Sequence, residues 1–316
     1  MRAARLQRVL TASIFAVLSL ALGGASCDKK SVASPAEPGP NVAFEPPPGG
    51  PAPKAEAPKA ESAAKPAAAA TPEPAPAAAG GHVAELLEKL PSPCGKAMSL
   101  KKTLDSDPGC KQGPFAKRFV ERLAALEVPD ERITDVYRNR YGEHETFTFN
   151  LRDTPFAGSP NAPVVLVEFF DYACPHCRDA MPVLEETVTA HGKDVALYYK
   201  QFPLHKESMD TAKAAIAAYR QGKFEAMHHK LFSSQGAQTR DDVFRYAKEI
   251  GLDMAKFEKD FNDPSVEARV KSDKDEGQKT NMQGTPTIFI NGRMFMDAVT
   301  ADSLSDWIDE ELAVSR

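Results

Sequence analysis

Val164-Val165-Leu166-Val167-Glu168-Phe169-Phe170-Asp171-Tyr172-Ala173-Cys174-Pro175-His176-Cys177 opens as an unbroken β-branched and aromatic run, the pattern of a buried central strand. It stops at a Cys-x-x-Cys whose Pro175 suits the first position of a helix. Residues three apart share one helix face, so Cys174 and Cys177 can close a short disulfide there. Unpaired N–H groups and the positive end of the macrodipole at a helix start both favour a thiolate at Cys174. His176, when charged, adds to the same effect. A free cysteine has a pKa of ~8.5, and such settings lower it to between ~3.5 and ~7.5. Each unit is worth ~1.36 kcal/mol, and stabilising the reduced, thiolate form makes the disulfide a stronger oxidant. The stretch reads as a redox site.

The same spacing also makes half of a zinc site. No second Cys-x-x-Cys exists in the chain, and the nearest other cysteine, Cys110, lies over sixty residues upstream. A metal or binding module built on Cys174 and Cys177 is therefore the weaker reading, and no metal is assigned.

The sequence resembles the DsbA-like branch of the thioredoxin superfamily. The residues that carry the resemblance are Phe169-Phe170, Cys174-Pro175-His176-Cys177, Glu168 six positions before the first cysteine, and Gly284-Thr285-Pro286-Thr287-Ile288-Phe289-Ile290-Asn291-Gly292. It covers roughly residues 145 to 314. The resemblance implies an α/β, thioredoxin-like fold with a helical insertion, here preceded by a small helical region and a disordered Pro/Ala-rich tether. It implies that Thr285–Pro286 is cis, packs across from the disulfide and offers backbone to a passing substrate chain, so that main-chain pairing can ignore side chains. A trans proline opening a strand is the alternative. The resemblance also implies that the redox-active disulfide is the only prosthetic chemistry, with no added cofactor.

Composition divides the chain. Of 316 residues, 26 are proline, and these gather near the front, leaving about 235 residues for a globular part. Arg2, Arg5 and Arg8 precede the apolar run Val9 to Leu22 and then Gly23-Gly24-Ala25-Ser26-Cys27. This is a secretory signal over residues 1–26, with a run too short for an ordinary membrane span. Cysteine after small residues looks like a bacterial lipobox in which Cys27 is lipidated, although Gly24 stands where an aliphatic is usual. Plain cleavage at a small-x-small site is the alternative. A multiply acylated Cys27 would hold the protein to a membrane stably, which places the chain in the bacterial cell envelope, facing the periplasm. Removing residues 1–26 takes away three arginines and no acids, so the formal charge of −5 becomes −8. Such a body has no electrostatic footprint for nucleic acid. Residues 27–81 are a Pro/Ala-rich linker with almost nothing to bury, and they read as an extended tether.

Residues 82–142 form a helical N-terminal region: Val83, Leu86, Leu87 and Leu90, then Phe115, Phe119, Leu123 and Leu126, recur at helical spacing. Cys94 and Cys110 sit in turn-rich corners between them and should pair in an oxidising compartment. Such a loop would gain roughly 3 kcal/mol in the chain-entropy model. A structural staple is the plainer reading of this pair, and electron exchange with Cys174 the sharper one.

Residues 143–316 form the thioredoxin-like domain, with the helical insertion over about 205–281. Alternation of Phe147 and Phe149 predicts an edge strand over 145–151, and Pro155 to Pro163 a turn. A helix follows from Pro175 to about His191, then a strand over 195–201. Helices are expected over 212–219, 224–232, 241–250, 254–261 and 264–275. Thr287 to Ile290 is a strand, Asn291-Gly292 a hairpin turn, Arg293 to Met296 its return, and Thr300 to Ala313 the last helix. Glu168 lies in an otherwise apolar strand, where a buried carboxyl has a raised pKa and can relay the proton of Cys177. Lys200 is a candidate partner for Glu168. His228 and His229 have no cysteine or carboxylate at ligand spacing and read as solvated.

The substrates the resemblance implies are unfolded or cysteine-containing exported proteins, with a membrane redox partner to reset the site. A dithiol oxidase is favoured by Pro175-His176 between the cysteines. Thr285 before the proline is more typical of isomerases and reductases, for which the region before residue 140 would serve as a dimerisation element.

Overall fold

The computed structural model describes residues 78–142, 145–205, 207–236 and 238–315. The expected signal sequence, Cys27 and nearly all of the tether lie outside the described residues. Four helices come first: α1 (Ala78–Lys89), α2 (Leu100–Ser106), α3 (Gly113–Ala125) and α4 (Asp130–Tyr141). Leu86, Leu90, Leu100, Phe119, Val120, Ile133 and Tyr137 close a small core among them. Cys94, after α1, and Cys110, before α3, are joined by a disulfide. α2 and α4 carry no strong apolar period. In α4 the buried positions are Ile133, Val136, Tyr137 and Arg140, so an arginine occupies the last place of the inward stripe.

The larger domain then begins with a short strand, β1 (Phe156–Gly158), followed by β2 (Val164–Phe170), α5 (Pro175–His191) and β3 (Val195–Gln201). The edge strand expected over 145–151 is absent. Phe147 and Phe149 instead lay their rings against Phe289 and Phe169, and the Phe147 N–H donates to the Gly292 carbonyl at 2.8 Å. Their alternation serves packing across a sheet face without a backbone ladder. β1 takes the edge, within what reads as a turn, because three residues ending in Gly158 carry no alternation signal.

Helices α6 (Ser208–Tyr219), α7 (Phe224–Ser233), α8 (Arg240–Glu249), α9 (Met254–Phe261) and α10 (Pro264–Gln278) make the insertion. Local chemistry explains their starts. Thr239 and Asp242 form a reciprocal capping box at α8, Asp253 caps α9, and Asp263 precedes Pro264 at the start of α10. The chain returns as β4 (Thr287–Ile290) and β5 (Arg293–Met294) and closes with α11 (Ala301–Ser315). Asn291 and Gly292 both have positive φ, 48° and 80°, as a two-residue hairpin turn of this kind requires. A Cβ on Gly292 would lie 2.3 Å from the Phe147 carbonyl oxygen.

The five strands run in the order β1-β3-β2-β4-β5. β2 and β3 are parallel, and β4 pairs with β2 antiparallel. Period two divides β2 between faces. Val164, Leu166 and Phe170 join the main core with Leu184 of α5 and Leu304, Trp307 and Ile308 of α11. Val167 and Phe169 face the other way with Phe202 and Phe289. Glu168, in step with Leu166 and Phe170, is thus placed on the α5 side. Among the described residues, no helix is long and apolar enough to cross a membrane.

The N-terminal helices dock on α11 through charge. The Arg140 guanidinium, 1 % exposed, pairs with the equally buried Glu310 and lies over the Trp307 ring at 4.4 Å. Arg118 pairs with Asp306 at 2.8 Å and Arg122 with Asp297. Removing one partner of a buried pair leaves an uncompensated charge. Glu310→Gln is therefore expected to lower unfolding free energy by about 3 kcal/mol, read as a fall in the guanidinium chloride midpoint with an unchanged slope.

Candidate active site

β2 ends in a tight turn closed by the buried side chain of Asp171. The Asp171 carboxylate accepts from the Ala173 N–H at 2.8 Å and from the Leu204 N–H at 2.7 Å, so it ties the ends of β2 and β3 together. Cys174 follows as the N-cap residue of α5, with extended backbone and Pro175 at the first helical position. Its N–H donates to the Asp171 carbonyl at 3.0 Å. Pro175 and His176 are exposed at the rim. Cys174 retains 9 % exposure and Cys177 none, and both are free thiols.

The Thr285–Pro286 bond is cis. The Cys174 Sγ donates to the Thr285 carbonyl oxygen at 3.2 Å, across 111 residues of sequence. The resemblance-based pairing of these two segments is thus a contact in the structure. Glu168 is buried, with its Oε1 lacking a hydrogen-bond partner. Desolvation, and secondarily the charge of Glu185, push its pKa up from 4.5 to about 8. Desolvation, and then the Glu168 charge, push the Cys177 thiol far up, against the smaller pull of the Asp171 backbone and the Thr285 hydroxyl. At neutral pH both groups keep their protons. The arrangement is one surface-edge sulfur, one sealed sulfur and one sealed acid beneath a helix start.

A thioredoxin family profile matches residues 150–310, half of the chain. The chain belongs to the thioredoxin family. Within it the chain falls in the DsbA-like group: it is 32 % identical to a Bacillus anthracis protein named "Probable disulfide bond formation protein D" over 213 residues, 63 % of this chain and 96 % of that one. It is also 38 % identical over 152 residues to the Na(+)/H(+) antiporter NhaA 1 of Mycobacterium sp. (strain KMS), 46 % of this chain and 25 % of the relative. The chain thus spans about a quarter of the length of such antiporter relatives. Among solved structures, a thioredoxin-like oxidoreductase from Silicibacter pomeroyi DSS-3 is 36 % identical, covering 50 % of this chain and 91 % of its own, with a TM-score of 0.47.

Two expectations for this thioredoxin-family chain fail for stated reasons. Lys200 does not meet Glu168. In the β2–β3 register Glu168 lies opposite Tyr199, and Lys200 opposite Phe169, so the two side chains leave the sheet on opposite faces. Lys200 instead pairs with Asp273 at 2.9 Å and Glu276 at 2.7 Å from α10. His228 is not solvated. It is 1 % exposed, walled by the rings of Phe170, Tyr199, Phe224 and Phe232, and its Nδ1 lies 3.0 Å from the Tyr172 hydroxyl. Burial lowers its pKa to about 3, leaving it neutral. His229 is exposed, yet it meets Glu185 at 2.6 Å. The partners of both histidines come from distant elements, invisible to spacing along one helix.

Sequence reading also missed the groups that hold the turn. The Gln235 amide donates to the carbonyls of Tyr172 and Cys174, each at 2.9 Å. The Gln238 amide donates to the Tyr172 and Leu231 carbonyls at 3.1 and 3.2 Å. Two glutamines in a loop carry no motif that would single them out.

The raised pKa of Glu168 has a consequence for stability. Its folded-state value lies above the unfolded one, so the folded chain binds the proton more tightly. Stability is then greatest below about pH 4.5 as far as this group is concerned, and declines as pH rises toward 8. Glu168→Gln removes that penalty. The variant is expected to be more stable than wild type by roughly 4 to 5 kcal/mol at pH 8 to 9, with no gain at pH 4, as measured by urea unfolding at each pH.

Proposed function

We propose that the chain is a protein thiol–disulfide oxidoreductase, acting on cysteine-containing exported proteins mainly as a dithiol oxidase. The observation that carries this reading is the 3.2 Å approach of the Cys174 sulfur to the Thr285 carbonyl. It sets the reactive sulfur beside backbone that an extended substrate can pair with. In the oxidised enzyme, a substrate thiolate attacks Cys174, the Cys174–Cys177 bond breaks, and the electron pair goes to the Cys177 sulfur. That sulfur is sealed and cannot remain charged cheaply, so it takes the proton of Glu168. The second substrate thiolate then attacks the substrate sulfur of the mixed disulfide. Cys174 leaves as a thiolate, with the open N–H groups of the first turn of α5 around it. Two electrons have passed to the enzyme, and a disulfide-bearing membrane redox partner must remove them. Attack falls on Cys174 because Cys177 is inaccessible.

Under this reading the secretory signal and a lipidated Cys27 deliver the enzyme to the periplasmic face of the bacterial envelope, and the Pro/Ala-rich stretch before α1 gives it reach. Thr285 keeps an isomerase or reductase as the second reading. Against it, the N-terminal helices bury their apolar faces in their own core and dock on α11 of the same chain, which leaves less to build a dimer from.

A Cys177→Ala variant should accumulate mixed disulfides with exported proteins at Cys174, seen as bands that collapse on reduction. Their absence, with Cys174 still alkylatable, would refute exchange. The reduction potential separates the two directions: a value near the ~−120 mV of strong oxidants supports the oxidase, and one near the ~−270 mV of reductants rules it out.

A further inference from the structure

The proposed exchange reaction needs its reactive sulfur held still, and the structure ties the turn around Cys174 from outside the α5 helix. Three polar contacts converge there from the loop between α7 and α8. One Gln235 amide nitrogen donates to the carbonyls on both sides of Ala173, those of Tyr172 and Cys174. The same side chain's Oε1 accepts from the Arg178 guanidinium at 2.9 Å, and Arg178 directly follows Cys177. Gln238 shares the Tyr172 carbonyl but touches neither Cys174 nor Arg178. The two glutamines therefore grip one turn in different ways. Gln238 is buried and fastens the turn to the end of α7. Gln235 is half-buried and reaches the reactive residue itself.

We infer that Gln235 is a positioning residue that sets the oxidising strength of the Cys174–Cys177 pair, so that the helical insertion tunes the redox site it covers. This rests on the exchange reading above. When the disulfide opens, negative charge collects on the Cys174 sulfur. The carbonyl oxygens of Tyr172 and Cys174 belong to the turn that carries that sulfur and bear partial negative charge, and an unopposed pair of them disfavours it. The Gln235 amide turns positive N–H ends onto both oxygens and so offsets their field. Its Oε1 also accepts from the Arg178 cation at the same end of α5, alongside the 3.1 Å pair that Arg178 makes with Asp179. Both effects favour the reduced form and, through it, a stronger oxidant. Cys174 is only 9 % exposed, so water screens the amide's field little, and the half-exposed Arg178 is the lesser contributor.

The test is the equilibrium of full-length protein with glutathione. Enzyme disulfide and two glutathione thiols give enzyme dithiol and glutathione disulfide, a balanced two-electron exchange. Gln235→Ala is expected to lower the equilibrium constant for reduction of the enzyme about tenfold, a potential lower by about 30 mV. Gln235→Glu should lower it further, because an anion then replaces the donors beside the same carbonyls. Gln238→Ala should lower the melting temperature while moving the constant less than threefold. That ordering is electrostatic, and a purely structural role would not produce it. Constants for Gln235→Ala and Gln235→Glu within twofold of wild type would overturn the inference while leaving exchange intact. A wild-type protein that does not exchange with glutathione at all would overturn both.

Discussion

Burying a thiol and a carboxyl together is the constraint from which the rest of the site follows. Neither Cys177 nor Glu168 can ionise in its pocket without losing solvation that its neighbours do not make up, and the Glu168 charge further raises the cost of charging Cys177. The fold accepts this because β2 must be apolar on both faces to sit at the centre of the sheet. One polar position, in step with Leu166 and Phe170, then lies beneath α5. The same geometry makes the two sulfurs unequal. The helix start puts Cys174 at the edge, and the three-residue spacing turns Cys177 inward.

Holding that asymmetry takes contacts from three separate parts of the chain. Asp171 joins the ends of β2 and β3, the segment before β4 brings Thr285 to the Cys174 sulfur, and the α7–α8 loop supplies two amides. None of these is near the others in sequence. The insertion, which interrupts the α/β domain over five helices, is thus part of the site's framework as well as of its cover.

Much of this was legible before any coordinates. The bounds of β3, α9 and β4 match the expected segments, because unbroken apolar runs and capped, periodic helices state their own limits. The Cys-x-x-Cys, its proline and Glu168 could be read from local pattern and resemblance. What escaped reading depended on partners distant in sequence. β1 is a strand only because β3 offers an edge. α4 is helical although Arg140 breaks its apolar count, because Glu310 and the Trp307 ring complete it from α11. Lys200 was misassigned because strand parity, which a one-residue register decides, sends it to α10. His228 and the two glutamines had no neighbours in sequence to betray them.

One face of α11 carries Leu304, Trp307 and Ile308 into the sheet's core, while Glu310 and Asp306 receive arginines from the N-terminal helices. The last helix of the chain is therefore a party wall. A fragment trimmed to begin at residue 145 would keep every redox group yet strip the counter-charges from that wall, leaving two carboxylates and an indole edge newly wetted. Dissecting this protein where the family resemblance begins would yield a weaker molecule, and the four small helices are better regarded as the outer half of a jointly folding body than as a detachable ornament.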